Sequence, residues 1–269
     1  MTAPHRHAQD DSRRLALALA LVGGTAALEL WGAFVTGSLA LLADFGHVLS
    51  DFGAIALALA AVRVGSRPHT LQWTFGFHRA EVLAAALNGL GLLAIALFIT
   101  VQAAMRLRSA PPEVDAAGLI SIATAGLVAN GVAAFLLAHG DSMNMRAARL
   151  HVLFDLGGSV MAILAGAVIA QTGWARIDEL LSLAIVVLLV IAAFRLLRRA
   201  VAVLMDAVPP GIDLTEVEAA LRGLRELRAV HDVHCWAIHG DVIAFAAHIE
   251  VQPGHDPQHA IAHATSVRR

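Results

Sequence analysis

Six apolar stretches, each close to the roughly 20 residues that cross about 30 Å of hydrocarbon, leave this 269-residue chain few ways to fold. They run near Leu15–Phe34, Leu39–Val62, Val82–Ala104, Ala116–Ala138, Val152–Gln171 and Leu180–Leu197. In lipid a backbone must satisfy its own hydrogen bonds, so stretches of this length are helices. The composition agrees, because 58% of the residues are hydrophobic, more than a soluble domain carries. The expected fold class is an all-α transmembrane bundle of six helices, followed by a small α/β C-terminal domain.

Six spans put both termini on one side, and the arginines choose it. Arg6, Arg13, Arg14, Arg63, Arg67, Arg79, Arg146, Arg149, Arg195, Arg198 and Arg199 fall on the terminal side, against Arg106, Arg108 and Arg176 opposite. Positive charge stays inside, so both termini are expected in the cytoplasm. All nineteen basic residues are arginine and the net charge is −2, which excludes a nucleic-acid binder with a basic face. A single cysteine, Cys235, excludes an intrachain disulfide framework. The polar segment Met1–Arg14 leads into a full-length span with no small-residue cleavage site, so no removable signal peptide is expected.

Ionisable residues interrupt the second apolar stretch in Ala43-Asp44-Phe45-Gly46-His47-Val48-Leu49-Ser50-Asp51. His47 and Asp51 are four apart, which on a helix puts imidazole and carboxylate on one face, one turn apart. The same spacing and residue types return in the fifth stretch as His151-Val152-Leu153-Phe154-Asp155, whose helix must therefore begin about a turn before Val152. Two histidines and two aspartates suit tetrahedral zinc, whereas calcium and magnesium prefer larger all-oxygen shells. The plainer reading is a set of polar residues bonding neighbouring helices. Ionisable groups at bilayer depth are costly and mark ion paths, and a repeated pattern in separate spans favours the metal.

Asp44 lies three residues before His47 and could hold an imidazole or stand on a proton or metal path; Glu29, in the first span, could pair with it. Asn88 and Asn130 read as interhelical hydrogen-bonding groups. His5, His7, His69 and His78 read as surface histidines, while His139 and Asp141 sit in a short loop suited at most to transient metal capture. Past Leu197 the chain turns polar. Asp213, with Glu216 three residues later, reads as the cap of a helix running to about Arg228. Val230–Ile238 and Val242–Val251 alternate as strands around a turn at His239–Asp241, and a second helix starts at Pro257.

The blocks GSLALLADFGHVLSD, FGFHRAEVLAAALNG, HVLFDLGGS and VHDVHCW, spread over nearly the whole chain, resemble the cation diffusion facilitator family, in particular its bacterial zinc and cadmium exporters. The resemblance implies a homodimeric antiporter in the bacterial inner membrane that expels a divalent cation, most of all Zn2+ and alternatively Cd2+, in exchange for protons. It implies transport ligands at His47, Asp51, His151 and Asp155, with histidine rather than aspartate at position 47 resembling the zinc-selecting subgroup. It also implies residues 1–14 as a cytoplasmic segment, 15–200 as the transport domain and 201–269 as a ferredoxin-like cytoplasmic domain lacking its final strand. His234 and His248 fall where some relatives bind cytoplasmic zinc as a regulator. The chain departs from the family in the loop before the third span, which lacks the Asp and His pattern of the family's secondary metal site and has Trp73 and Phe77 near where histidines could sit, so that site is not expected here, and in a histidine-rich loop reduced to His139.

Two other functions compete with secondary active efflux. An intramembrane zinc metallohydrolase would want three protein ligands, a general base and usually an HExxH helix, which the chain lacks. A membrane-anchored metal sensor would make the tail its main zinc site. A GxxxxGK[ST] phosphate loop is also missing, which disfavours direct ATP-driven pumping.

Overall fold

The computed structural model describes residues 3–266 apart from 66, 69, 75, 78, 110–112, 139–142 and 240–241, with side-chain surroundings not described for residues 3–16, 58–59, 62, 143–148, 150, 239 and 266. Six long helices come first: α1 (Ala3–Thr36), α2 (Leu39–Gly65), α3 (Ala80–Arg108), α4 (Ala116–Leu137), α5 (Met143–Thr172) and α6 (Arg176–Leu204). Each contains a segment long and apolar enough to cross a membrane. Then follow α7 (Leu214–Arg222), β1 (Leu227–His239), β2 (Val242–Val251) and α8 (Pro257–Ser266). The chain divides into two compact units, Met1–Ile55 with Asn88–Phe194, and Ala56–Leu87 with Arg195–Arg269.

In the first unit, Gly37 (φ 72°) and Gly173 (φ 69°) occupy the left-handed region that ends one helix and lets the next begin two or three residues later. Asp115 caps α4, its side chain accepting a hydrogen bond from the Gly118 amide at 3.1 Å. One apolar cluster joins Val22 and Ala26 of α1, Val48 of α2, Ala133 and Leu137 of α4 and Val152 of α5. Another joins Ala43 of α2, Leu92, Ala96 and Ile99 of α3 and Val186, Leu189 and Ala193 of α6. Small residues set the approach distance: a methyl group on Gly46 would lie 2.6 Å from Ile95 of α3, and one on Gly166 would lie 2.6 Å from Ile120 of α4. Close backbone approach of this kind holds helices together where lipid offers no hydrophobic drive. Phe34, Phe135, Leu188 and Phe194 point outward and exposed, as a lipid-facing surface requires.

The helices run past the apolar limits of the sequence. The third apolar stretch ends at Ala104 but α3 continues through Arg106 and Arg108; the sixth begins at Leu180 but α6 begins at Arg176 and contains Asp178 and Glu179. Hydropathy stops at a charge, whereas a helix continues wherever the charged group finds a partner or the interface. The fifth helix starts two turns before His151, so that residue lies well inside it.

In the second unit, α7 and α8 pack beside an antiparallel β1–β2 ribbon around Leu221, Leu227, Val230 and Ala260. Asp213 caps α7 by accepting from the Thr215 amide at 2.8 Å. That helix ends at Arg222 rather than near Arg228, because the chain turns at Gly223 and Leu227 is already paired with Val251. Leu227 is instead buried beside Val230 in the core under the ribbon.

Candidate metal centre

α2 presents His47 and Asp51 toward α5, which presents His151 and Asp155. Asp51 Oδ2 lies 3.7 Å from His47 Nε2 and 3.3 Å from His151 Nδ1, and Asp155 Oδ2 lies 3.5 Å from His151 Nε2. The two imidazole centroids are 5.8 Å apart, and His47, His151 and Asp155 each offer a ligand atom within 4.8 Å of the others. Bonds of about 2.0–2.2 Å in a tetrahedral shell separate neighbouring ligand atoms by about 3.3–3.6 Å; the two contacts of His151 fall in that range but use its two different nitrogens, His47 and Asp51 are slightly wider apart, and Asp51 is not among the three groups that converge. One imidazole binds one ion through one nitrogen, so closing the shell needs His151 turned to aim a single nitrogen at the centre.

The four groups differ in access. His47, His151 and Asp51 are about one-third exposed, whereas Asp155 is buried with neither carboxylate oxygen hydrogen-bonded among the described residues. A bare carboxylate in such a place is expensive unless a cation or proton meets it, which suits an ion site.

Asp44 faces α5 one turn beyond this group, and both its carboxylate oxygens lie 3.1 Å from where a methyl on Gly158 would stand. Glu29 is buried, its Oε2 lacks a hydrogen-bond partner among the described residues, and its Oε1 approaches Gly126 of α4. Glu29, Asp44 and Asp155 are close enough for their charges to act on one another. Of the two asparagines, Asn88 accepts from Ser50 Oγ at 3.3 Å, joining α3 to α2; Asn130 is buried with its Oδ1 unbonded among the described residues.

On the C-terminal ribbon, His234 stands opposite Ala246, and the residue opposite His248 is His231. Between them β1 carries an extra residue, a bulge at which Asp232 takes φ 52°, a conformation aspartate tolerates. Asp232 Oδ2 lies 3.2 Å from His248 Nδ1 and 3.5 Å from His231 Nδ1, with the imidazoles edge to face at 5.5 Å. His231, Asp232 and His248 form an exposed cluster of three metal-capable groups; His234 is exposed and is not among them. Strict alternation hides this, because a bulge changes which residues share a face. Trp73 and Phe77 pack with ring centroids 5.2 Å apart, an apolar pair in the loop that lacks the family's secondary-site pattern. His69, His78, His139 and Asp141 lie outside the described residues, and the side-chain surroundings of His5 and His7 are not described.

Sequence reasoning passed over the acids at the start of α6. Asp178 and Glu179 are fully buried. Their signal was two adjacent carboxylates directly before an apolar run, which reads as an ordinary helix start.

A bundle of six membrane-crossing helices with two His–Asp pairs facing each other at bilayer depth defines a class: polytopic membrane proteins that handle a metal cation. Residues 15–205 match the cation efflux transmembrane domain and residues 209–268 match the cation efflux protein cytoplasmic domain. The chain belongs to the cation efflux family, the cation diffusion facilitators, and is an integral membrane transporter rather than an enzyme. It is 40% identical over 259 residues to the zinc transporter ZitB of Escherichia coli, covering 95% of this chain and 82% of the relative. It is 37% identical over 248 residues to the metal cation efflux system protein CzcD of Cupriavidus metallidurans (91% and 78%), and 33% identical over 270 residues to a cadmium, cobalt and zinc/H(+)-K(+) antiporter of Bacillus subtilis (98% and 85%).

Proposed function

We propose that this protein exports zinc from the cytoplasm across the bacterial inner membrane in exchange for protons, using His47, Asp51, His151 and Asp155 as the transport site. The observation that carries the reading is the position of His151, 3.3 Å from Asp51 and 3.5 Å from Asp155 with His47 facing it. Protonated on both nitrogens, that imidazole places a positive charge within ion-pair distance of both carboxylates. Zinc needs one of the same nitrogens bare and both carboxylates ionised, so cation and protons exclude each other. If the site opens to one side of the membrane at a time, the exclusion becomes exchange. The relatives named as a zinc transporter and as a cadmium, cobalt and zinc/proton-potassium antiporter support the cargo and the coupling.

In this reading both termini are cytoplasmic, which the arginine distribution supports. Residues 15–200 form the transport domain and 201–269 the cytoplasmic domain, through which two copies assemble as a homodimer. Asp44 and Glu29, beside the site, relay protons between it and water. His231, Asp232 and His248 sense cytoplasmic zinc, a role that moves from His234 to His231 because of the register. The test is zinc uptake by inside-out proteoliposomes under an imposed pH gradient. Uptake that follows the gradient supports the exchange, and zinc uptake indifferent to it removes the proton from the mechanism.

A further inference from the structure

The outer end of α2 is capped by a residue of another helix. Asp178, in the first turn of α6 and fully buried, accepts at Oδ1 from Ser38 Oγ (2.5 Å) and the Ala40 amide (3.4 Å), and at Oδ2 from the Leu39 amide (2.6 Å). Ser38 Oγ accepts in turn from the Leu41 amide at 3.2 Å. These are the amides a helix N-terminus leaves without internal partners, so an α6 carboxylate supplies what an N-cap side chain usually does. Arg106 of α3 donates to the Gly37 carbonyl in the same turn at 2.5 Å and lies close enough to act on the Asp178 charge. The Asp115 amide, just before α4, donates to the Thr36 carbonyl at 3.0 Å. The joint between α1 and α2 is thus held from three other helices.

Asp178 is committed to this cap. Both of its oxygens accept bonds from α2, unlike those of its neighbour Glu179, which have no hydrogen-bond partner among the described residues. That makes it a poor station for a travelling ion and a good anchor. From Leu39 the helix runs unbroken through His47 and Asp51, eight and twelve residues on, about 12 and 18 Å along its axis at 1.5 Å per residue. An unbroken helix carries a shift at its end to its middle. Gly46, packed against Ile95, leaves little slack sideways, so the freedom that remains is along and about the axis.

We infer that Asp178 is a positioning residue for metal selectivity: by capping α2 from α6 it fixes the height of His47 and Asp51 against His151 and Asp155, and so keeps the site at zinc size. The inference rests on the four-ligand reading above. A tight tetrahedral shell of nitrogen and oxygen favours zinc, while a looser one loses less with a larger ion such as cadmium.

The experiment compares zinc and cadmium in the full-length protein carrying His231→Ala and His248→Ala, which silences the C-terminal cluster. In that background Asp178→Asn keeps the shape of the side chain but replaces one accepting oxygen with a donating NH2, breaking the paired acceptance. Two readouts are taken: competitive binding of the two ions to purified protein, and their flux ratio in proteoliposomes. Asp178→Asn is expected to lower the zinc-to-cadmium ratio about tenfold in both, the lower end of what loss of a ligand-orienting group costs. Ser38→Ala, which removes one bond and leaves the Leu39 amide bonded, should shift the ratio the same way and by less. A general loss of folding would lower both ions together, so proportional loss, or an unchanged ratio, overturns the proposal. If Asp178→Asn does not assemble, Ser38→Ala decides alone, and an unchanged ratio there overturns it equally. Asp155→Ala, run beside them, tests the site itself: normal zinc flux in that variant removes the four-ligand reading, whatever Asp178→Asn does.

Discussion

His151 is the residue on which the proposed transport site turns, since it lies 3.3 Å from Asp51 and 3.5 Å from Asp155 while His47 faces it from α2. Losing a group that merely orients a metal ligand costs about 10–100-fold, so His47→Ala, Asp51→Ala, His151→Ala and Asp155→Ala should each cut zinc flux by about 100-fold or more. The dimer should still assemble, as judged by size-exclusion chromatography in detergent. Asp51→Asn and Asp155→Asn preserve shape and remove charge. They should do comparable damage in the same flux assay, because a dication in low dielectric needs its charge offset; retained flux would mean that shape alone suffices. His47→Asp exchanges a nitrogen donor for a more adaptable, charged oxygen, so competitive transport should move from zinc toward cadmium or manganese. An unchanged ratio would place selectivity elsewhere in the protein.

At the scale of elements, the C-terminal ribbon and its helices yield two measurable expectations. A His231→Ala/His248→Ala variant should keep the transport site's zinc affinity and most of the flux while losing zinc-dependent activation. His234→Ala should behave as wild type, because His234 faces Ala246 and not the cluster. Asp213 caps α7, and the Thr215 amide holds its carboxyl below the ordinary value of 3.8. Its capping contribution is therefore complete above that value and lost as pH falls through the lower folded value. Thermal melting of Asp213→Ala against wild type should differ at pH 7 and converge as pH falls through the lowered folded value, where the carboxyl becomes protonated in both states.

Much at this scale was legible in the sequence. Six spans and the paired HxxxD groups follow from hydropathy and a four-residue period, both local properties. The clamp of Asp178 on Ser38 was not legible, because it joins residues 140 apart in sequence through a backbone geometry that no local pattern encodes. The partnership of His231 with His248 was hidden for another reason. It depends on one extra residue at Asp232, and a single bulge inverts what alternation predicts.

For the whole molecule, the account is one of exclusion turned into exchange: the same donors hold either protons between imidazole and carboxylates or a zinc ion among them. The bundle supplies α2 and α5 to carry the donors, α6 and α3 to fix α2, and buried acids, Glu29 and Asp44, beside the site. A change of access then moves one cargo outward and the other inward. The central claim is tested most directly by recording zinc uptake and lumenal pH together in inside-out proteoliposomes, for wild type and for Asp155→Asn. Wild type should take up zinc while the lumen loses protons, and Asp155→Asn should do neither. Zinc uptake by wild type without proton movement, or coupled uptake surviving in Asp155→Asn, would contradict the account.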